Sequence, residues 1–121
     1  MGVASFRDLR VWQASMDLVQ SVYRHTRCFP VVETYGLASQ LRRASVSVPS
    51  NIAEGHAREH LAEYLHHLSI AQGSLAEVET QIEIAAGLGY MDDGERSTCI
   101  AQIDQVRRQL IALRKALSKG T

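Results

Sequence analysis

Proline is almost missing from this chain: Pro30 and Pro49 are the only two in 121 residues, and one Trp, four Tyr and two Phe are its only large aromatics. With apolar residues recurring at three and four rather than at two, this scarcity excludes a strand-rich architecture and points to an all-α chain. Cysteine is equally scarce. Cys28 and Cys99 lie far apart with no Cys or His at ligand spacing, which excludes a disulfide framework and a zinc motif and leaves two free thiols. No apolar run approaches membrane-spanning length, and the stretch from Met1 to Asp8 has no signal-peptide core, so a soluble, cytoplasmic chain without a membrane partner is expected. Thirteen basic and thirteen acidic residues cancel, which excludes a surface that attracts nucleic acid all over. Glycine-rich phosphate loops, nucleophile elbows and signature Cys/His contexts are also missing, so no enzyme, cofactor or small-molecule substrate is expected.

What is present is helical periodicity. The length suits one domain with a modest core, near the size at which self-association commonly supplements stability. Four helices are predicted, at about 5–27, 33–54, 59–88 and 93–118. Ser5 caps the first, whose stripe is Leu9, Trp12, Met16, Val19, Tyr23 and Thr26. The second carries Leu37, Leu41, Ala44, Val48 and Asn51 or Ile52 on one side, with Pro49 inside it. Proline removes a backbone donor and crowds the Ser45 carbonyl. A kink with serine hydroxyls or water on that carbonyl is therefore expected, the alternative being a break with Asn51 as a new cap and Glu54 at its third position. In the third, Tyr64, Leu68, Ala71, Leu75, Val78, Ile82 and Ala85 alternate by four and three, which is the seam of a bundle. Gly89 stops it, Asp92 to Glu95 open the fourth, and Cys99, Ile103, Val106, Leu110, Leu113 and Leu117 form the last stripe. Short links between four amphipathic helices imply an up-and-down four-helix bundle with a kinked second helix.

The second helix has a further face. On a helical wheel Arg43, Ser47, Ser50, Glu54 and Arg58 fall together, well away from the apolar stripe. Small serines admit another helix, and the opposite charges could pair across a contact, although a merely solvated polar face has the same pattern. The third helix holds Glu59, Glu63, Glu77, Glu79 and Glu83 with no Lys or Arg. Glu79 sits at the edge of the seam, where an arginine partner is expected, with Arg42 or Arg43 the candidates unless the carboxylate reaches water. His56, His60, Glu63, His66 and His67 invite a metal reading, but the second Glu-x-x-His that bundle sites need is missing and the wheel turns Glu63, His66 and His67 outward. On the fourth helix Arg108, Lys115 and Lys119 align, Arg107 and Arg114 flank the seam, and on the first helix Arg10 and Arg24 point away from the core. These seven are the candidate nucleic-acid contacts, suited to phosphate without sequence readout, although cations near a helix C-terminus also simply offset its dipole.

The run Phe29-Pro30, Tyr35-Gly36-Leu37, Gln40-Leu41-Arg42-Arg43-Ala44, Ser47-Val48-Pro49-Ser50-Asn51-Ile52-Ala53-Glu54-Gly55, then Glu63-Tyr64, Ala71-Gln72-Gly73-Ser74 and Glu77-Val78-Glu79, led by Phe6-Arg7-Asp8-Leu9 and Trp12-Gln13, spans almost the whole chain. In order and spacing it resembles the small four-helix-bundle proteins encoded in intervening sequences of bacterial 23S ribosomal RNA genes. The resemblance implies a four-helix protomer in a ring-shaped homopentamer. In fold it extends to the accessory variability proteins of diversity-generating retroelements, which bind nucleic acid and a reverse transcriptase. The expectation is thus a non-enzymatic homo-oligomeric scaffold in which Arg42, Arg43, Ser47, Pro49, Ser50, Asn51, Glu54, Glu77 and Glu79 shape the protomer and its contacts. The alternative is an adaptor for RNA or DNA.

Overall fold

A computed structural model of the chain describes residues 5–119, so the first four residues of the N-terminal stretch read above lie outside the described residues. Helices α1 (Arg10–Thr26), α2 (Leu37–His56), α3 (Leu61–Gly87) and α4 (Asp93–Lys119) form an up-and-down bundle, with short 3-10 turns at Phe6–Asp8 and Val31–Glu33. Each helix packs on its two neighbours in the ring order α1, α2, α3, α4, and the α2–α3 pairing is the most extensive. No strand occurs among the described residues.

The core is aliphatic. Leu18 and Val22 from α1, Leu41, Val48 and Ile52 from α2, Leu68, Leu75, Val78 and Ile82 from α3, and Ile103, Val106 and Leu110 from α4 are all fully buried. The α3 seam is buried from Leu68 to Ala85, as its alternating spacing predicts, with Tyr64 half-exposed at its start. On α1 the buried stripe is instead Val11, Ala14, Ser15, Leu18, Ser21, Val22 and Thr26. The expected stripe of Leu9, Trp12, Met16 and Val19 lies about one residue off centre and is half-buried, while Tyr23 is exposed. Small hydroxylated residues made this shift hard to foresee. Ser15 donates to the Trp12 carbonyl at 2.8 Å and Thr26 to that of Val22 at 2.7 Å, so both can enter the core with their hydrogen bonds satisfied inside their own helix.

The helix ends follow from local chemistry. Ser5 accepts from the Arg7 amide, but the turn it caps is the 3-10 segment, and α1 itself starts at Arg10. The α2 start is later than expected because Val31–Glu33 form a separate turn. Glu33 then reaches forward, and its carboxylate accepts from the Leu37 amide at 3.0 Å and from the Tyr90 hydroxyl at 2.9 Å. A β-carbon at Gly36 would stand 2.7 Å from that carboxylate oxygen, so glycine is what lets it in. After α3, Gly89 has φ +80°, and the Tyr90 amide bonds back to the Ala85 carbonyl at 2.9 Å, closing a Schellman turn. Asp92 and Glu95 exchange side-chain and backbone hydrogen bonds at 2.8 and 2.9 Å, a reciprocal cap on α4.

Pro49 lies inside an unbroken α2 and is buried. The break with Asn51 as a fresh cap therefore does not occur: the Asn51 side-chain amide donates to the Ser47 carbonyl at 2.9 Å, one turn back. Nor do the nearest serines turn to the freed Ser45 carbonyl. The Ser45 hydroxyl donates to the Arg42 carbonyl at 2.9 Å, and Ser47 faces α3.

Gly55 explains how α2 and α3 come so close. A β-carbon there would lie 2.9 Å from the Tyr64 ring, 3.0 Å from the His67 β-carbon and 3.2 Å from the Tyr64 carbonyl, and the last two cannot swing aside. Gly73 has open space around its α-carbon. Gly55→Ala should therefore destabilise the fold by about 1–3 kcal/mol through overpacking, whereas Gly73→Ala should stabilise it by about 0.5–1 kcal/mol through helix propensity. Urea unfolding of both variants checks this, and shifts of the same sign would contradict it. Cys28 is exposed, while burial, reinforced by Glu95, raises the Cys99 thiol to about 11. One thiol should react rapidly with an aromatic disulfide reagent in the native state and both after denaturation; two fast thiols in native protein would refute the burial of Cys99.

Candidate functional site

The α2–α3 crossing that Gly55 permits carries a line of polar contacts beside the core. The hydroxyls of Ser47 and Ser74 lie 2.8 Å apart, and Asn51 also donates to the Ser47 hydroxyl at 3.0 Å. With its amide nitrogen spent on Ser47, Asn51 turns its carbonyl oxygen to His67 Nδ1 at 3.0 Å, an arrangement that calls for the hydrogen on Nδ1. Glu54 comes within 3.7 Å of the same nitrogen. His67 is thus half-buried against α2, where the wheel had turned it outward; the close approach of the two helices brings α2 side chains round to it.

Outward from this line, α2 presents a ridge with a hollow on either side. Val46 (40% exposed), Arg43, Ser50 and Glu54 form the ridge. On the α3 side, a hollow of about 390 Å³ lies between Gln40, Arg43, Ser47, Ser74, Glu77 and Gln81. On the α1 side, one of about 300 Å³ is walled by Trp12, Met16, Val19, Val46, Pro49 and Ala53, almost wholly apolar. Arg43 and Glu77 make no ion pair among the described residues. The structure therefore gathers Arg43, Ser47, Pro49, Ser50, Asn51, Glu54 and Glu77 around one side of the bundle, and sequence reading missed the apolar α1 flank. Its signal was present in the half-buried Trp12, Met16 and Val19, which had been assigned to the core.

Arg42 and Glu79 belong elsewhere. The Arg42 guanidinium lies 4.8 Å over the Tyr23 ring, and its Nε donates to the Thr26 hydroxyl at 2.8 Å. Glu79 pairs with Arg107 of α4, not with Arg42 or Arg43, because its side of α3 faces α4. Arg107 also donates to Asp104 at 2.7 Å. At the other end of α4, Arg96 grips Glu83 with two bonds of 2.5 and 2.6 Å, which holds the Glu83 carboxyl below its usual range.

Of the basic candidates, Arg107 is consumed by these carboxylates, Arg114 donates to Gln72, and Arg24 donates to Ser21 at 3.0 Å. Arg114, Lys115 and Lys119 come together around a hollow of about 490 Å³ between α3 and α4. Arg10 and Arg108 are exposed without an ion pair among the described residues. No three His, Cys, Asp or Glu side chains converge in a metal-binding arrangement among the described residues; Glu63 and His66 are exposed, and His67 is engaged with α2. No described helix is long and apolar enough to cross a membrane.

Comparison with solved structures finds the same bundle in a protein of unknown function from the S23 ribosomal protein family of Bacteroides thetaiotaomicron, with a TM-score of 0.78 at 18% identity, covering 87% of this chain and 98% of that one. At that identity the likeness shows the fold alone. No curated protein matches the sequence. A family model described as "23S rRNA-intervening sequence protein" matches residues 7–112, nearly the full extent of the bundle from the turn before α1 into the last turns of α4. The chain belongs to the 23S rRNA-intervening sequence protein family.

Proposed function

We propose that this protein is a non-enzymatic helical scaffold that works as a homo-oligomer, a ring of five copies by resemblance to its family, with the outer side of α2 as the contact between copies. The observation that carries this reading is the apolar hollow beside the α2 ridge, where Trp12, Met16 and Val19 are only half-buried and Val46 is exposed. Clustered apolar side chains bordered by polar residues suit a protein contact. Charge supports it. Arg43 on the ridge and Glu77 across the groove carry opposite signs and form no ion pair among the described residues, so each can find the other in a neighbouring copy. The small Ser47 and Ser50 leave room for a helix to approach.

A second reading is an adaptor that binds RNA or DNA. It is favoured by the cluster of Arg114, Lys115 and Lys119 around the α3–α4 hollow, which a ring would repeat in each copy. Such contacts would hold phosphates without reading sequence.

Arg43→Glu should lower the solution mass of the assembly by light scattering, and adding Glu77→Arg should restore at least part of it. An Arg43→Glu protein with the wild-type mass would remove this surface as the contact. For the second reading, affinity for structured RNA should fall steeply between low and physiological salt, and no binding at low salt would end it.

A further inference from the structure

The groove between α1 and α2 changes character beyond Val46. Past the apolar hollow it opens into a second one of about 600 Å³, rimmed by Tyr23, Thr34, Tyr35, Ser39, Arg42 and Arg43. Among the described residues no carboxylate lines it. The acidic residue of the adjoining loop, Glu33, is committed to the Leu37 amide and the Tyr90 hydroxyl.

Arg42 is fixed in place but not satisfied. Thr26 donates to the Val22 carbonyl and accepts from Arg42 Nε, and the guanidinium rests on the Tyr23 ring. The two terminal amino groups of Arg42 have no hydrogen-bond partner among the described residues, and neither Arg42 nor Arg43 forms an ion pair there. This contrasts with Arg96 and Arg107, both held by carboxylates. A guanidinium already oriented, with its forked donors free, loses little further freedom on meeting an anion, and its geometry matches two oxygens of a phosphate.

Tyr35 completes the arrangement. It is 96% exposed, so its ring offers a face that the described residues leave open. An oriented guanidinium with free donors beside an open aromatic face is the combination that single-stranded nucleic acids use, backbone on the cation and base on the ring. A paired base has no face free to stack in this way, and the zero net charge gives a duplex little general attraction.

We propose that this hollow binds one unpaired nucleotide of a single strand, its phosphate on Arg42 and its base on Tyr35. The inference rests on the nucleic-acid reading above and moves the site from α4 to the α1–α2 groove; it does not require the ring.

The test is fluorescence anisotropy at low salt with a labelled single-stranded RNA of about eight nucleotides, inside the ~4–16 nucleotide range of single-strand sites, and with the duplex of the same sequence. The single strand should bind more tightly than the duplex. Tyr35→Ala should weaken it about tenfold, the scale of one lost stacking contact, while Tyr35→Phe should keep most of the affinity. Arg42→Gln should weaken binding and lower the slope of log affinity against log salt by about one. Lys115→Gln with Lys119→Gln should change little. Thermal melts of each variant separate loss of binding from loss of fold, and Tyr35, being almost fully exposed, can be replaced without touching the core.

No binding of the single strand, equal binding of the duplex, an unchanged Tyr35→Ala, or loss only in the lysine variant would each overturn the proposal. So would a drop in assembly mass with Tyr35→Ala in a protein that does not bind the strand, which would make the hollow a seat for another copy. A monomer that binds the strand with the expected Tyr35 dependence would sustain this inference while removing the scaffold.

Discussion

The close crossing of α2 and α3 is the constraint on which the rest of the structure depends. Gly55 allows it at one end, where any side chain would meet Tyr64 and His67, and the Ser47–Ser74 hydroxyl pair keeps it narrow further along. Small residues at a helix contact let backbones approach, but they bury little apolar area, so the crossing has to be held partly by polar contacts. That is why Asn51 and His67 complete the line, each satisfying groups that would otherwise be left beside the core. The line also sets the rotation of α2. With one flank on α3 and its apolar side in the core, α2 turns Val46, Arg43, Ser50 and Glu54 outward.

Charge is partitioned along the same lines. The acidic character of α3 is answered by α4 on the side they share, through Glu83 with Arg96 and Glu79 with Arg107. On the side shared with α2 the described residues leave Glu77 without such an arginine partner. Glu77 faces Arg43 across a groove with no ion pair among the described residues, and the Arg42 guanidinium meets a hydroxyl and a ring. The α3 carboxylates Glu79 and Glu83 are thus neutralised toward α4, and the α2 side stays electrostatically open among the described residues. Both the proposed contact between copies and the proposed nucleotide site lie on that open side.

Much of this fold was legible because amphipathic spacing is a local property. The α3 stripe could be counted residue by residue, and Gly89, Asp92 and Glu95 signalled a stop and a start by their own chemistry. The phase of α1 was not legible. Trp12, Met16 and Val19 outweigh Ala14, Ser15 and Ser21 on any hydrophobicity count, yet the smaller residues are the buried ones, and the Ser15 hydroxyl bonds within its own helix. The partner of Glu79 was equally hidden, since a wheel shows that a residue lies at a seam edge but not which neighbour stands across it. The ridge of α2 was visible as a second polar face, whereas its apolar flank appears only when α1 is set beside it.

If the open side of α2 is a contact between copies, the protein in solution cannot be a lone bundle. Native mass spectrometry of the unmodified chain over a dilution series tests this most directly. The account predicts one dominant species near five times the 13.4 kDa chain mass, persisting on dilution. A 13.4 kDa species alone at every concentration would contradict it.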